Sequence, residues 1–207
     1  MKIFLVRHTE SEGNLKKVYA GATDYVLSEH GEQQIIEVMM KLFQIISPTS
    51  SYSLYSSPLQ RCTKLADEIE RLLQTSKMID SRLSETNFGI FEDKTYEELI
   101  LLYPDIVESW IQDSIHFQIP NGESLKHCFE RVSAFCKDLI DRDEDAVIVS
   151  HGGIIKLIIL AILDLDLKEF WKFYTSNGCV IEIIYNDGFG YIKNISQLEY
   201  GDEEFGD

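Results

Sequence analysis

The sequence predicts an α/β domain in which a mostly parallel sheet is covered by helices. Short β-branched runs alternate with longer segments of helical period, the pattern of strands joined by crossover helices. The 207 residues suit one sizeable core and are few for two independent ones. With 44% hydrophobic and 26% charged residues, the chain has the balance of an ordinary globular protein.

The elements follow in order. Residues 3–6 read as a first strand, so Arg7 and His8 fall at its carboxyl end, the edge where open α/β sheets place their ligands. Ser28 caps a helix running to about residue 46, with an inner face read as Ile35, Ile36, Met39, Leu42, Phe43 and Ile46 and with Pro48 beyond its end. Leu54 and Tyr55 lie in a second strand. Ser57-Pro58 then reads as a capping hydroxyl before a proline at the first helical position, which puts Arg61 in the first turn of the next helix. Residues 80–103 read as a strand end, an irregular loop and a short helix, broken at Pro104. Pro120-Asn121-Gly122 introduces a long helix with Leu125, Phe129, Val132, Phe135, Cys136 and Leu139 on its apolar face.

Residues 146–149 form a fully apolar strand ending in Ser150-His151-Gly152-Gly153, so His151 repeats the placement of His8. The helix that follows, residues 154–163, is too short and too interrupted by Lys156 to span a bilayer and reads as buried. A hairpin closes the domain, residues 180–185 and 191–195 about Asn186-Asp187-Gly188. A single domain over residues 1–200 results, with residues 201–207 read as an acidic, disordered tail.

A net charge of −16 repels nucleic acid and anionic membranes, so any phosphate site has to be a local concentration of positive groups. Cys62, Cys128, Cys136 and Cys179 form no C-x-x-C pair and read as packing thiols. The opening apolar run is too short for a signal peptide, which predicts a cytoplasmic protein.

Two strand ends each carry a histidine, and two arginines can reach the same edge. A transferring phosphoryl group spreads charge over its equatorial oxygens, which suits guanidinium forks from Arg7 and Arg61 and a hydrogen bond from His151. His8 is the candidate nucleophile, one ring nitrogen held by the backbone and the other aimed at phosphorus. An alkoxide leaves poorly, and Glu85 is the candidate general acid, acting afterwards as base on water. Taken singly, each of these residues is more simply structural: a strand-end histidine, a solvated helix arginine, a loop carboxylate in an ion pair. Their joint presence is what points to chemistry. Arginine beside the histidines disfavours a metal, and no ligand spacing surrounds them, so neither metal nor cofactor is expected.

The segment Leu5-Val6-Arg7-His8-Thr9-Glu10-Ser11 resembles the R-H-G-E-[TS] signature of the histidine phosphatase superfamily, which includes cofactor-dependent phosphoglycerate mutases and many phosphatases. The resemblance continues in order through Asn14, Gly21, residues 27–31, Ser57-Pro58-Leu59-Gln60-Arg61, Leu83-Ser84-Glu85-Thr86-Asn87-Phe88-Gly89, Asn121-Gly122-Glu123-Ser124 and Val149-Ser150-His151-Gly152-Gly153. It implies a three-layer α/β/α sandwich of the phosphoglycerate mutase type. It also implies that His8 becomes phosphorylated, that Arg7, Asn14, Arg61 and His151 bind phosphate, that Glu85 donates the proton, and that Ala20 and Gly21 belong to a phosphate-lining turn. The departures are Thr9 where glycine is usual, Gly13 where tryptophan is common, and Glu92-Asp93 where Glu-Gly is frequent.

The chain continues directly from Glu85 into Phe88-Gly89-Ile90-Phe91, without the longer mutase loop, which favours hydrolysis over mutase chemistry. Trp110, Asp113, Arg131-Val132, Phe173 and Asn177-Gly178-Cys179 further resemble the α-ribazole-5′-phosphate phosphatases of cobalamin assembly, and Phe88, Phe91, Tyr96, Trp110 and Phe117 could stack a base in a lid. The partner expected is a small-molecule phosphate ester, with no nucleic acid or membrane, and the chain a monomer or homodimer. The competing readings are a broad-specificity sugar-phosphate or phosphoglycerate phosphatase, a phosphoglycerate mutase, and a catalytically inactive phosphate-binding protein.

Overall fold

In a computed structural model, described for residues 1–47 and 49–198, the first strand is β1 (Lys2–Arg7). Helix α1 (Glu12–Leu15) follows, then α2 (Glu29–Ile45), β2 (Ser53–Ser56), α3 (Gln60–Leu73) and β3 (Lys77–Ile79). Next come α4 (Tyr96–Leu102), α5 (Pro104–Gln112), α6 (Leu125–Arg142), β4 (Ala146–Ser150), α7 (Gly152–Ile162), β5 (Val180–Asn186) and β6 (Phe189–Ser196). Pro48 and the acidic tail lie outside the described residues.

The sheet has the order β3-β2-β4-β1-β5-β6. β1, β2, β3 and β4 are mutually parallel, β5 runs antiparallel beside β1, and β6 pairs antiparallel with β5 at the edge. Strand alternation assigns the two faces. Ile3 and Leu5 of β1, with Ala146 and Ile148 of β4, point into a core shared with α6 and α7. Phe4 and Val6, with Val147 and Val149, point into the opposite core, closed by α2 and α3. Residues 3–6 are fully buried, as both-sided coverage of central parallel strands requires. A third cluster, Phe91, Leu99, Val107 and Ile119, forms a separate small core under α4 and α5. No helix among the described residues is long and apolar enough to cross a membrane.

Ser28 caps α2 as expected, its Oγ accepting from Gly31 N. The inward stripe of α2 differs from the sequence expectation. Gln34, Ile35, Val38 and Leu42 are buried, whereas Ile36 and Phe43 are 66% and 63% exposed. The apolar residues of this helix cover more than one face, and only the ridge at 35, 38 and 42 meets the sheet. The start of α3 also differs: Pro58 lies in a bend, Leu59 is the N-cap, and Ser57 Oγ accepts from Leu59 N (3.3 Å), ahead of the helix, and not from an N–H of its first turn. Arg61 still falls in the first turn. The short helix α4 ends ahead of Pro104 as expected, and Pro104 then opens α5, because a proline at N1 loses no intrahelical hydrogen bond. At the final hairpin Asp187 and Gly188 both adopt positive φ, 49° and 81°, the backbone of a tight turn between antiparallel strands.

Candidate active site

β1 and β4 are neighbours in register, with Arg7 opposite Ser150, so the residues that follow them emerge side by side at one sheet edge. His8 is clamped there by its backbone: its N–H donates to Ser150 O (3.0 Å) and its carbonyl accepts from Gly178 N (3.0 Å). The two rings of His8 and His151 meet edge to face, centroids 5.2 Å apart. His8 Nδ1 lies 2.7 Å from Thr9 O. A carbonyl only accepts, so Nδ1 carries the proton and the lone pair resides on Nε2. Burial, then the charges of Arg7 and Arg61, hold the His8 pKa well below its usual value, which keeps the imidazole neutral.

Arg61 is 1% exposed and is the largest fully buried side chain. Its guanidinium donates to the carbonyls of Thr23 (2.9 Å), Ala20 (3.0 Å) and Gly21 (2.9 Å), and its Nε to His151 Nδ1 (3.2 Å). His151 therefore accepts on Nδ1 and donates from Nε2 to Ser57 Oγ, 2.8 Å away. Burial first, then the charge that His8 would carry if protonated and the charges of Arg61 and Arg7, hold His151 well below its usual pKa as well. Both rings are neutral groups in a cationic pocket, an arrangement poor for a metal ion and favourable for an anion.

Arg7 donates from Nη1 to Thr175 O, while its buried Nε has no partner among the described residues. Neither has Thr9 Oγ1 nor Asn177 Oδ1. Buried donors are rarely left unpaired in a native fold. The first turn of α7 supplies the room: a Cβ on Gly152 would lie 3.2 Å from the Arg7 guanidinium, and one on Gly153 would lie 2.8 Å from Glu85 Oε1. Glu85 thus reaches the same helix terminus, its Oε2 accepting from Gly153 N (3.4 Å) and its Oε1 from Thr86 N (2.9 Å).

The structure brings Arg7, His8, Arg61, Glu85 and His151 together. Asn14 sits on α1, its Oδ1 accepting from Ser11 N (3.0 Å) and Ser11 Oγ (2.8 Å) in a capping box. Ala20 and Gly21 stand behind Arg61 as carbonyl acceptors, and the N–H of Gly21 is already occupied by Glu92. The aromatic segment divides. Phe91 is fully buried in the third cluster and Tyr96 is 40% exposed, while Tyr19, Phe88 and Trp110 pack edge to face beside it. Three supports stand in the sequence resemblance without the role the structure gives them: Ser57, which fixes His151; Glu92, which gathers the turn at residues 21–23; and the Glu123–Arg131 pair. Their places in those motifs were the signal; their partners lie far along the chain and left none.

Comparison with known proteins agrees with this geometry. The family model of the Histidine phosphatase superfamily (branch 1) matches residues 3–197. Phosphoserine phosphatase 1 of Hydrogenobacter thermophilus is 32% identical over 180 residues, covering 86% of this chain and 83% of that one. The adenosylcobalamin/alpha-ribazole phosphatase of Escherichia coli is 25% identical over 205 residues, covering 98% and 99%. Among solved structures, the alpha-ribazole phosphatase from Shigella flexneri superposes with a TM-score of 0.86 at 25% identity, over 99% of this chain and 100% of that one.

Proposed function

This chain belongs to the histidine phosphatase superfamily, and from that premise we propose that it is a phosphomonoesterase acting through a phosphohistidine at His8. The observation that carries the reading is the half-buried Arg7 with its buried, unpartnered Nε, set beside two neutral histidines and the buried Arg61. A phosphate dianion satisfies that arrangement, supplying acceptors to donors that otherwise lack them.

In the first step His8 Nε2 attacks phosphorus, forming the N–P bond as the P–O ester bond breaks. Glu85 passes its proton to the departing alkoxide, which leaves as the alcohol. In the second step Glu85 takes a proton from water as the new O–P bond forms and the N–P bond breaks, releasing inorganic phosphate. Arg7 and Arg61 hold the equatorial oxygens through both steps. His151 joins them once its Nε2–H turns from Ser57 to the phosphoryl group. Asn14 is assigned to the same oxygens through its amide N–H, and Ala20 and Gly21 to the turn that carries Arg61.

The substrate is a small-molecule phosphate ester. The specific reading is α-ribazole 5′-phosphate, supported by the near-complete coverage shared with the ribazole phosphatases. Phosphoserine is a second reading, supported by the 32% identity to phosphoserine phosphatase 1. Phosphate release in EDTA from these two esters, 3-phosphoglycerate and p-nitrophenyl phosphate, with wild type and His8→Ala, decides among them. A preferred ester hydrolysed only when His8 is present supports the proposal. Release that persists in His8→Ala, or transfer of phosphate between glycerate positions without release, overturns it.

A further inference from the structure

Glu85 lies on an irregular stretch between two 3-10 turns, Ser81–Leu83 and Gly89–Phe91, which provide no regular ladder to fix its backbone. One ion pair captures the chain on both sides of it. Arg131 of α6 donates from Nη1 to Arg82 O (2.6 Å) and from Nη2 to the Glu85 carbonyl (3.1 Å). The same guanidinium grips Glu123, Nε to Oε1 at 3.0 Å and Nη2 to Oε2 at 3.1 Å. Glu123 Oε2 accepts from Asn87 N (3.0 Å), and Glu123 N donates to Asn87 O (2.8 Å). The side chains of Arg131 and Glu123 are only 20% and 27% exposed. Burial pushes the Glu123 carboxyl up, and the Arg131 guanidinium together with the Asn87 N–H brings it below its usual range.

The two loops also meet backbone to backbone. A Cβ on Gly122 would lie 2.4 Å from Asn87 O, and one on Gly89, where φ is +54°, 2.2 Å from Pro120 O. The Arg131–Glu123 pair sits at the rim of the main core, whose α6 contribution is Cys128, Val132, Phe135, Cys136 and Leu139, and it touches that core through Cys128 Sγ, 3.2 Å from Glu123 Oε2. Arg131 meets that stripe at Cys128, whose Sγ lies 3.2 Å from its Nη2, and spends its other donors on Glu123 and on the carbonyls of Arg82 and Glu85.

We propose that the Arg131–Glu123 pair is a positioning device for the general acid: by tying down Arg82, Glu85 and Asn87 it sets the Glu85 carboxyl against the first turn of α7, where the leaving oxygen must lie. The inference rests on the assignment of Glu85 as proton donor. Neither Arg131 nor Glu123 touches the reacting atoms, so their loss acts through Glu85 and shows as a dependence on the leaving group.

The test compares kcat/KM for an alkyl phosphate and for p-nitrophenyl phosphate, from pH 5 to 8. Arg131→Lys keeps the charge and loses the fork; Glu123→Gln keeps the shape and loses the anion. Each is made alone and combined with Glu85→Gln. The expected result is a loss of about tenfold or more on the alkyl ester and under about threefold on the aryl ester, whose leaving group needs little protonation. In the Glu85→Gln background the same substitutions add nothing further on the alkyl ester, because the group they position no longer donates. Equal losses on both esters, or losses that add in the double variants, overturn the inference while leaving Glu85 as the acid if Glu85→Gln alone is leaving-group selective. Glu85→Gln slowing both esters equally removes the acid assignment, and the positioning role with it. Should Arg131→Lys fail to fold, Glu123→Gln carries the same comparison.

Discussion

Replacing Glu92 by glutamine should loosen the turn that holds Arg61, and the loss can be worked from the contacts. Glu92 Oε1 accepts from Ala22 N (2.9 Å) and Phe88 N (2.9 Å), Oε2 from Thr23 N (3.1 Å) and Thr23 Oγ1 (2.7 Å), and both from Gly21 N (3.2 and 3.1 Å). Glutamine keeps one oxygen and places an NH2 where the other stood; with the NH2 beside Thr23, whose hydroxyl can turn to accept, the Thr23 N–H faces a donor, and the three bonds left on the retained oxygen lose the charge that assisted them. One charge-assisted hydrogen bond lost at about 1.5–3 kcal/mol, with three others weakened by about 0.5–1 kcal/mol each, would set the loss at roughly 3–6 kcal/mol. Water reaches this half-buried site and can satisfy part of it, which lowers the expectation to about 3 kcal/mol. For a chain of this size that is roughly 6–12 °C in Tm. The consequence extends to the site, because the carbonyls of Ala20, Gly21 and Thr23 are the acceptors of Arg61. Inhibition by inorganic phosphate should therefore weaken in Glu92→Gln alongside the fall in Tm. Thermal unfolding and phosphate inhibition, measured on the same samples, are the assay. A Tm within about 2 °C of wild type together with unchanged phosphate inhibition would refute the reasoning, since it would mean the carboxylate holds nothing that matters.

Two further outcomes follow from the buried cations and imidazoles. Arg61→Lys retains the charge but cannot donate to His151 and three carbonyls at once; kcat on the preferred ester should fall about a hundredfold, with weaker vanadate inhibition, and unchanged kinetics would dismiss the role given to the planar fork. The folded-state pKa values of His8 and His151 lie below 6.5, so the unfolded chain binds more protons as pH falls. Stability from these groups is complete above the unfolded pKa and declines as pH drops towards their folded values, by up to about 1.4 kcal/mol per pH unit for each histidine. Urea midpoints between pH 7.5 and 5.5, without phosphate, should fall with pH in wild type and less steeply in His8→Asn; identical slopes would contradict the assignment of a buried neutral His8.

The sequence by itself determined the parts of this protein that depend on local order. β1 and β4 are short apolar runs followed at once by His8 and His151, so the placement of both histidines at strand ends was readable without the fold, as was Arg61 in the first turn of α3. The turn at Asp187-Gly188 and the Ser28 cap are likewise local events, each set by the conformational freedom or hydrogen-bonding capacity of one or two residues. Periodicity showed that α2 is amphipathic but not which ridge would meet the sheet, because burial is decided by neighbours, and so Ile36 and Phe43 proved exposed. What only the tertiary structure decided is the support beneath the site. Glu92 meets Gly21 across 71 residues, Ser57 meets His151 across 94, and Arg131 meets the Glu85 carbonyl across 46. Several of these bonds join a side chain to a distant backbone N–H or carbonyl, groups that nearly every residue carries and that leave no mark in the sequence. The strand order β3-β2-β4-β1-β5-β6 brings those groups within reach, and that order is set by the packing of two apolar layers on one sheet, a property of the whole chain.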